Sequence, residues 1–166
     1  MVSFTVVAAF ITSAAALGIN CRGSGGCTFN DAKLSDVLTQ VKQIQAQGNG
    51  NHRYSTGGKI NVLPISRTIN STSSTQIIHV ADMPSPSAIV QLACAQGKYA
   101  SICAFYQNGA SGTANEAAGQ LQGLVDHKCS QCGSIPTQPG NDVSKGELTV
   151  NIVSAPCCKG NCVCPI

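Results

Sequence analysis

The sequence predicts an α+β domain with an antiparallel sheet, and three observations lead to this class. Two segments have the apolar spacing of amphipathic helices, and four segments have the composition of strands. The helices and strands do not follow the regular alternating order that a parallel βαβ sheet requires. Ten cysteines among 166 residues add an expected disulfide framework. We therefore expect a small, cross-linked, mixed domain.

The first predicted helix follows Asn30 and Asp31, which are candidate capping residues. Its apolar positions recur at the spacing of one helix face: Leu34, Val37, Leu38, Val41 and Ile44.

The second predicted helix covers about residues 113–127. Thr113 and Glu116 have the spacing of a capping box, in which a hydroxyl and a carboxylate satisfy backbone N–H groups. Gly119 and Gly123 weaken the helix, but glycines on one side would let it lie close to a sheet.

The predicted strands are residues 75–81, 88–92, 102–107 and 147–153. In the last strand Leu148, Val150 and Ile152 should face one side and the intervening polar residues the other. Residues 45–58 are rich in Gly, Asn and Gln, and they predict a loop.

Residues 1–16 have the features of a signal peptide, with an apolar run over residues 4–11 and three alanines at positions 14–16. This run is much shorter than the ~20 apolar residues of a membrane span. We expect cleavage after Ala16, secretion, and one mature domain over residues 17–166 with a cysteine-rich tail at about 157–166. Asn70, in the sequence Asn-Ser-Thr, is a possible N-glycosylation site.

The composition excludes several partners. Only 10% of the residues are charged, 4% are aromatic, there is no tryptophan, and the formal net charge is +3. This charge could favour an anionic surface or channel mouth, but it is too small to indicate nucleic-acid binding. Few aromatic residues also argue against a base-stacking or carbohydrate-binding face.

The cysteines are expected to form disulfides because they follow a secretory leader. They are Cys21, Cys27, Cys94, Cys103, Cys129, Cys132, Cys157, Cys158, Cys162 and Cys164. Zinc is the alternative, since residues 129–132 have CxxC spacing, but a secreted chain does not keep the thiolates that zinc needs. We therefore predict no metal and no cofactor. The spacing alone leaves the connectivity open.

The catalytic inventory is poor, and we predict that the protein is not an enzyme. There are three histidines and two glutamates, and no GxSxG, HExxH or phosphate-binding glycine loop. A small hydrolase that uses His52, Arg53, His79 and Glu147 is an alternative, although nothing in their spacing selects it.

Three stretches carry a more specific signal: LGINCRGS at residues 17–24, LVDHKCSQCGS at 124–134 and GNDVSKGELTVN at 140–151. Together they resemble the smut-fungus killer toxin (killer protein 4) family, whose mature toxin begins at the residue that matches Leu17. The resemblance is good over about residues 88–153 and thin over about 45–86. It implies an antiparallel sheet covered on one face by two antiparallel helices.

The resemblance also implies disulfide pairs: Cys21–Cys129, Cys27–Cys132, and Cys94 with Cys157 or Cys158. Two further family cysteines correspond to Gly109 and Ala118 in this chain. We expect Cys103 and the remaining tail cysteines to supply the last two bridges.

The family inhibits calcium uptake by blocking calcium channels from outside the cell. The toxin has basic residues just before the cysteine that matches Cys94, where this chain has Gln91, Leu92 and Ala93. The substitutes that we consider are Lys98 and Lys145, because a cation can compete for an acidic pore mouth.

The leading hypothesis is a secreted, non-enzymatic, monomeric toxin of fungal type. It would act as a killer toxin, or as an effector against a host plant, on a cell-surface target such as a calcium channel of fungal or plant cells. It would neither bind nucleic acid nor insert into a membrane. The alternative from another class is a secreted binding or structural protein with the same fold and no channel-blocking activity.

Overall fold

The structure is a computed structural model that describes residues 18–57 and 89–166. The predicted leader, Asn70, the strand predicted at residues 75–81 and His79 lie outside these ranges. The described part has two α-helices, α1 (Leu34–Ile44) and α2 (Ala114–Asp126). Its strands are β1 (Arg53–Ser55), β2 (Gln91–Gln96), β3 (Ser101–Gln107), β4 (Ser111–Thr113), β5 (Gly133–Pro136), β6 (Glu147–Val153) and β7 (Cys162–Val163).

Five of the strands form one sheet in the order β5-β6-β3-β2-β7, and each neighbouring pair is antiparallel. β3 and β6 pair along their whole length, from Ser101 opposite Val153 to Gln107 opposite Glu147. β1 and β4 form a separate two-stranded sheet. The α+β class with an antiparallel sheet, predicted from the sequence, is confirmed.

Both helices pack on one face of the large sheet, where the apolar helix positions and one row of each strand form the core. Every apolar position predicted for α1 is buried: Leu34, Val37, Leu38, Val41 and Ile44. Ile102, Leu148 and Val150 meet them from the sheet, and each is fully buried. Burying such side chains stabilises the fold by roughly 1.5–3 kcal/mol each.

The start of α1 differs from the prediction. Its first residue is preceded by Lys33, and no side chain caps it; the Leu34 N–H instead donates to the carbonyl of Ser130 at 2.9 Å. Asn30 and Asp31 hold the turn between β2 and β3, since the Asn30 amide donates to the Ala100 carbonyl at 2.9 Å and the Asp31 carboxylate accepts from the Lys98 N–H.

The start of α2 confirms the predicted capping box. The Glu116 N–H donates to the Thr113 hydroxyl at 3.2 Å, and the Thr113 N–H donates to the Glu116 carboxylate at 2.7 Å. The Thr113 backbone N–H is the main reason that the pKa of Glu116 is lowered, followed by the Thr113 hydroxyl. This local motif fixes where α2 begins.

The glycine prediction is right for one position only. A Cβ atom at Gly123 would lie 3.0 Å from the Ile135 side chain, so α2 does approach β5 closely there. At Gly119 the space is open, and no close contact requires a glycine.

The strand predicted at residues 147–153 is β6, and its alternation is right in part. Leu148 and Val150 enter the helix-side core, and Ile152 packs at its edge. The opposite row is also buried, although it is polar: Glu147 accepts from the Asn108 amide at 3.1 Å, and the Thr149 hydroxyl lies 2.9 Å from that of Ser134.

The loop prediction for residues 45–58 is wrong at two places. Gln45–Asn49 forms a π-helical turn that continues α1, and Arg53–Ser55 is β1. β1 pairs with β4, which leads directly into α2.

None of the helices in residues 18–57 and 89–166 has the length and apolar content of a bilayer span.

Candidate functional site

Two disulfides join the N-terminal segment to the end of α2. Cys21 pairs with Cys129 and Cys27 with Cys132, with Cα–Cα distances of 4.9 and 6.1 Å. These are the pairs that the family resemblance implies. We call residues 21–27, residues 129–132 and their two bridges the clasp.

Backbone and side-chain hydrogen bonds extend the clasp into the sheet. Asn20 and Ser134 exchange N–H···O bonds of 3.0 and 2.9 Å, which places the N-terminal segment beside β5. The Ser24 N–H donates to the Asn151 side chain of β6 at 3.0 Å. The Gln131 amide donates to the Asn30 carbonyl at 3.3 Å. The clasp is therefore fixed at the end of the sheet where β2 turns into β3, which we call the clasp end.

The other cysteines do not pair as expected. Cys94 is bonded to Cys103, and not to Cys157 or Cys158, because Cys94 and Cys103 lie directly opposite each other in the β2–β3 register. The tail closes on itself through Cys157–Cys164 and Cys158–Cys162, so the prediction that Cys103 bridges to the tail is also wrong. The sulfur atoms of Cys94 and Cys157 still lie 3.5 Å apart. The tail therefore packs against Cys94, at the place where a Cys94–Cys157 bridge, one of the two pairs that the resemblance allows, would lie.

The residues that replace the toxin's basic residues have structural roles. Gln91 holds the tail, since its amide donates to the Ala155 carbonyl at 2.8 Å and its carbonyl oxygen accepts from the Cys157 N–H at 2.9 Å. Leu92 and Ala93 are fully buried in the core. None of the three offers a cation to a target.

Lys98 lies in the β2–β3 turn at the clasp end and is exposed. Its ammonium is 5.3 Å from the centre of the Tyr99 ring, and Tyr99 is itself 73% exposed. A groove of about 430 Å³ separates this turn from the last residues of β6. The turn thus presents an accessible cation on an aromatic support.

Lys145 lies in a 3₁₀ turn before β6, and its ammonium is 3.8 Å from the Asp142 carboxylate. The Ser144 hydroxyl and N–H, and then Lys145, lower the pKa of Asp142. Lys98 and Lys145 lie beyond opposite ends of β3, whose seven residues span about 20 Å. The structure therefore does not bring the two candidate contacts together.

The three hydrolase candidates that the structure describes have separate partners. The His52 ring packs edge-on against Tyr54 with 4.8 Å between ring centres. Arg53 donates to the Ser111 hydroxyl at 2.8 Å and lies 4.0 Å from the Glu116 carboxylate, whereas Glu147 accepts from Asn108. Each of these residues therefore has a structural contact of its own. In the part of the chain that the structure describes, they do not come together as a catalytic centre.

A polar groove beside the clasp was not anticipated from the sequence. It has a volume of about 410 Å³, and Arg22 and Lys128 both line it. The sequence carries one signal for it, because Arg22 directly follows Cys21 and Lys128 directly precedes Cys129. The pairing of these cysteines brings both cations to the same groove.

The fold and the clasp define a small α+β protein whose N-terminal segment and second helix are joined by disulfides. The Kp4 family model matches residues 4–154. The chain is 34% identical over 156 residues to the KP4 killer toxin of Ustilago maydis P4 virus, covering 92% of this chain and 93% of the toxin. The chain belongs to the Kp4 killer toxin family, a family of non-enzymatic toxins.

Proposed function

We propose that the chain is a secreted toxin that acts from outside on target cells and reduces calcium uptake through a channel. The observation that carries the proposal is the 34% identity to a killer toxin over nearly the whole length of both proteins. The leader over residues 1–16 and the ten cysteines support secretion. In a secreted chain, Asn70 would be available for glycosylation.

Lys98 is the target contact that we favour over Lys145. A channel blocker presents a cation on a rigid support, so that the cation can compete for an acidic pore mouth. Within residues 18–57 and 89–166, no carboxylate oxygen lies within 4.0 Å of the Lys98 ammonium, whereas Lys145 is paired with Asp142. The backbone around Lys98 is held by Asn30 and Asp31 from the clasp end.

Calcium uptake by fungal or root cells, recorded with the purified, oxidised, secreted protein, tests this function. We expect dose-dependent inhibition, and we expect Lys98→Gln to raise the half-inhibitory concentration about fivefold, because one exposed ionic contact is lost. Lys42→Gln is the matched control, since Lys42 lies on the exposed side of α1 against Gln122. Lys145→Gln should behave like the control. Normal calcium uptake at micromolar protein with intact disulfides would contradict the proposal.

A secreted binding protein without channel activity is the second candidate. It is favoured by Gln91, Leu92 and Ala93, which stand where the toxin has basic residues and which hold the tail and the core here. The same assay separates the two functions. Saturable attachment of labelled protein to the cells, with calcium uptake unchanged, would select the binding protein.

A further inference from the structure

We infer that the groove beside the clasp binds carboxylate side chains of an acidic protein segment on the target, with Arg22 and Lys128 as the two cationic contacts. This inference rests on the proposed function, because it names a second contact surface of the same toxin. The groove and the Lys98 turn are both at the clasp end, and the Gln131–Asn30 and Asn30–Ala100 hydrogen bonds connect them. One partner could therefore contact both.

The clasp places the two cations together. The Cα atoms of Cys21 and Cys129 are 4.9 Å apart, and Arg22 and Lys128 are their immediate neighbours. Both side chains are exposed and line the same groove. The long side chains of arginine and lysine can therefore converge on one carboxylate or on two adjacent ones.

The backbone of Lys128 supports a specific role. Lys128 has φ = 69°, a left-handed conformation that glycine adopts most readily at the end of a helix. The following hydrogen bonds hold it: the Lys128 N–H to the Val125 carbonyl at 2.9 Å and the Cys129 N–H to the Leu124 carbonyl at 3.0 Å. Lys128 therefore places a long cationic side chain at a position that glycine would occupy with less strain.

Among the described residues, no carboxylate oxygen lies within 4.0 Å of the Arg22 guanidinium or the Lys128 ammonium. In the ranges that the structure covers, the ion pairs are Arg53–Glu116 and Lys145–Asp142. No acidic residue from the described part of the chain lines the groove. Two neighbouring cations without an ion-pair partner attract an anionic group.

The other lining residues favour a carboxylate over a lipid. They are glycines, cysteines and uncharged polar residues, such as Ser24, Thr28 and Gln131. The described lining itself contains no aromatic or branched aliphatic side chain, although the exposed Phe29 follows Thr28 at its edge. The Arg22 N–H donates to the Asn20 side chain at 3.1 Å, which fixes the backbone under the guanidinium before any partner binds.

A direct binding experiment tests the groove without relying on calcium uptake. The secreted protein is titrated with a tetraglutamate peptide and followed by NMR. We expect amide shifts at residues 21–28 and 128–132 that diminish as salt is raised. We expect Arg22→Gln and Lys128→Gln each to weaken binding about fivefold, and Arg22→Gln/Lys128→Gln to weaken it about twentyfold.

Lys42→Gln is again the matched charge control, and a mass map of the disulfides with a thermal unfolding curve verifies that each variant folds. A loss in Lys42→Gln equal to that in Arg22→Gln or Lys128→Gln, which also remove one charge each, would mean that only net charge matters, and it would overturn the inference. An absence of amide shifts at the groove residues of the folded wild-type protein would also overturn the inference. Binding to phosphatidylglycerol vesicles that Arg22→Gln/Lys128→Gln weakens, without binding to the peptide, would assign the groove to lipid phosphate and also overturn it.

The two proposals fail separately. If the wild-type protein leaves calcium uptake unchanged but the peptide titration gives the expected pattern, the groove stands and the channel function does not. If calcium uptake is inhibited and the double variant inhibits as well as the wild-type protein, the groove is not the contact.

Discussion

The clasp and the cysteine-rich tail use disulfides for different purposes. The clasp bridges join residues 108 and 105 positions apart, whereas Cys94–Cys103, Cys157–Cys164 and Cys158–Cys162 join residues 9, 7 and 4 positions apart. A bridge that closes a long loop removes more freedom from the unfolded chain than one that closes a short loop. The clasp therefore stabilises the global fold, and the three short-range bridges, two of them in the tail, fix local shape.

The two clasp bridges also overlap. In the chain-entropy relation, the first bridge closes a loop of about a hundred residues and contributes about 5 kcal/mol. Once it is present, the second closes a ring of only about ten residues and contributes about 3 kcal/mol. Either bridge alone therefore provides most of the stabilisation.

The largest effect is expected when both clasp bridges are removed. Replacing their four cysteines with serine should lower the free energy of unfolding by about 8 kcal/mol, which is comparable to the whole stability of many domains. Cys21→Ser/Cys129→Ser alone, or Cys27→Ser/Cys132→Ser alone, should cost about 3 kcal/mol. Urea unfolding measures the loss in the two single-bridge variants, and circular dichroism without denaturant shows whether the fourfold variant folds. A loss of about 5 kcal/mol in each single-bridge variant would refute the overlap.

A smaller effect is expected in the tail. Cys158→Ser/Cys162→Ser opens a loop of four residues and should cost about 2 kcal/mol. The circular dichroism spectrum should be unchanged, because α1, α2 and the core lie on the other face of the sheet. Urea unfolding measures the loss, with Cys157→Ser/Cys164→Ser as the companion variant. Collapse of the whole fold in either variant would show that the tail is part of the global framework.

The sequence predicted those parts of the fold whose determinants are local. The capping box of Thr113 and Glu116 needs only four adjacent residues, and the alternation of Leu148 and Val150 needs only one strand. The apolar face of α1 is likewise contained within one helix. These features are visible before any tertiary contact is known.

The features that the sequence did not predict depend on tertiary contacts. The first N–H of α1 is satisfied by Ser130, which is about a hundred residues away, and β1 exists because it pairs with β4. The Cys94–Cys103 bridge depends on the β2–β3 register, which spacing alone does not give. Arg22 and Lys128 line one groove because the Cys21–Cys129 bridge joins their segments. Before the structure, only the family resemblance implied that bridge.

The smallest predicted effect concerns α2, whose end carries half of the clasp. Gly119→Ala should raise the free energy of unfolding by about 1 kcal/mol, because alanine favours the helix and the new Cβ atom meets open space. Gly123→Ala gains the same propensity, but its Cβ atom would lie 3.0 Å from the Ile135 side chain, so β5 or that side chain must move. The net gain there should be at most about half as large. Thermal unfolding of the two variants gives the comparison, and equal gains would mean that α2 does not press against β5 at Gly123.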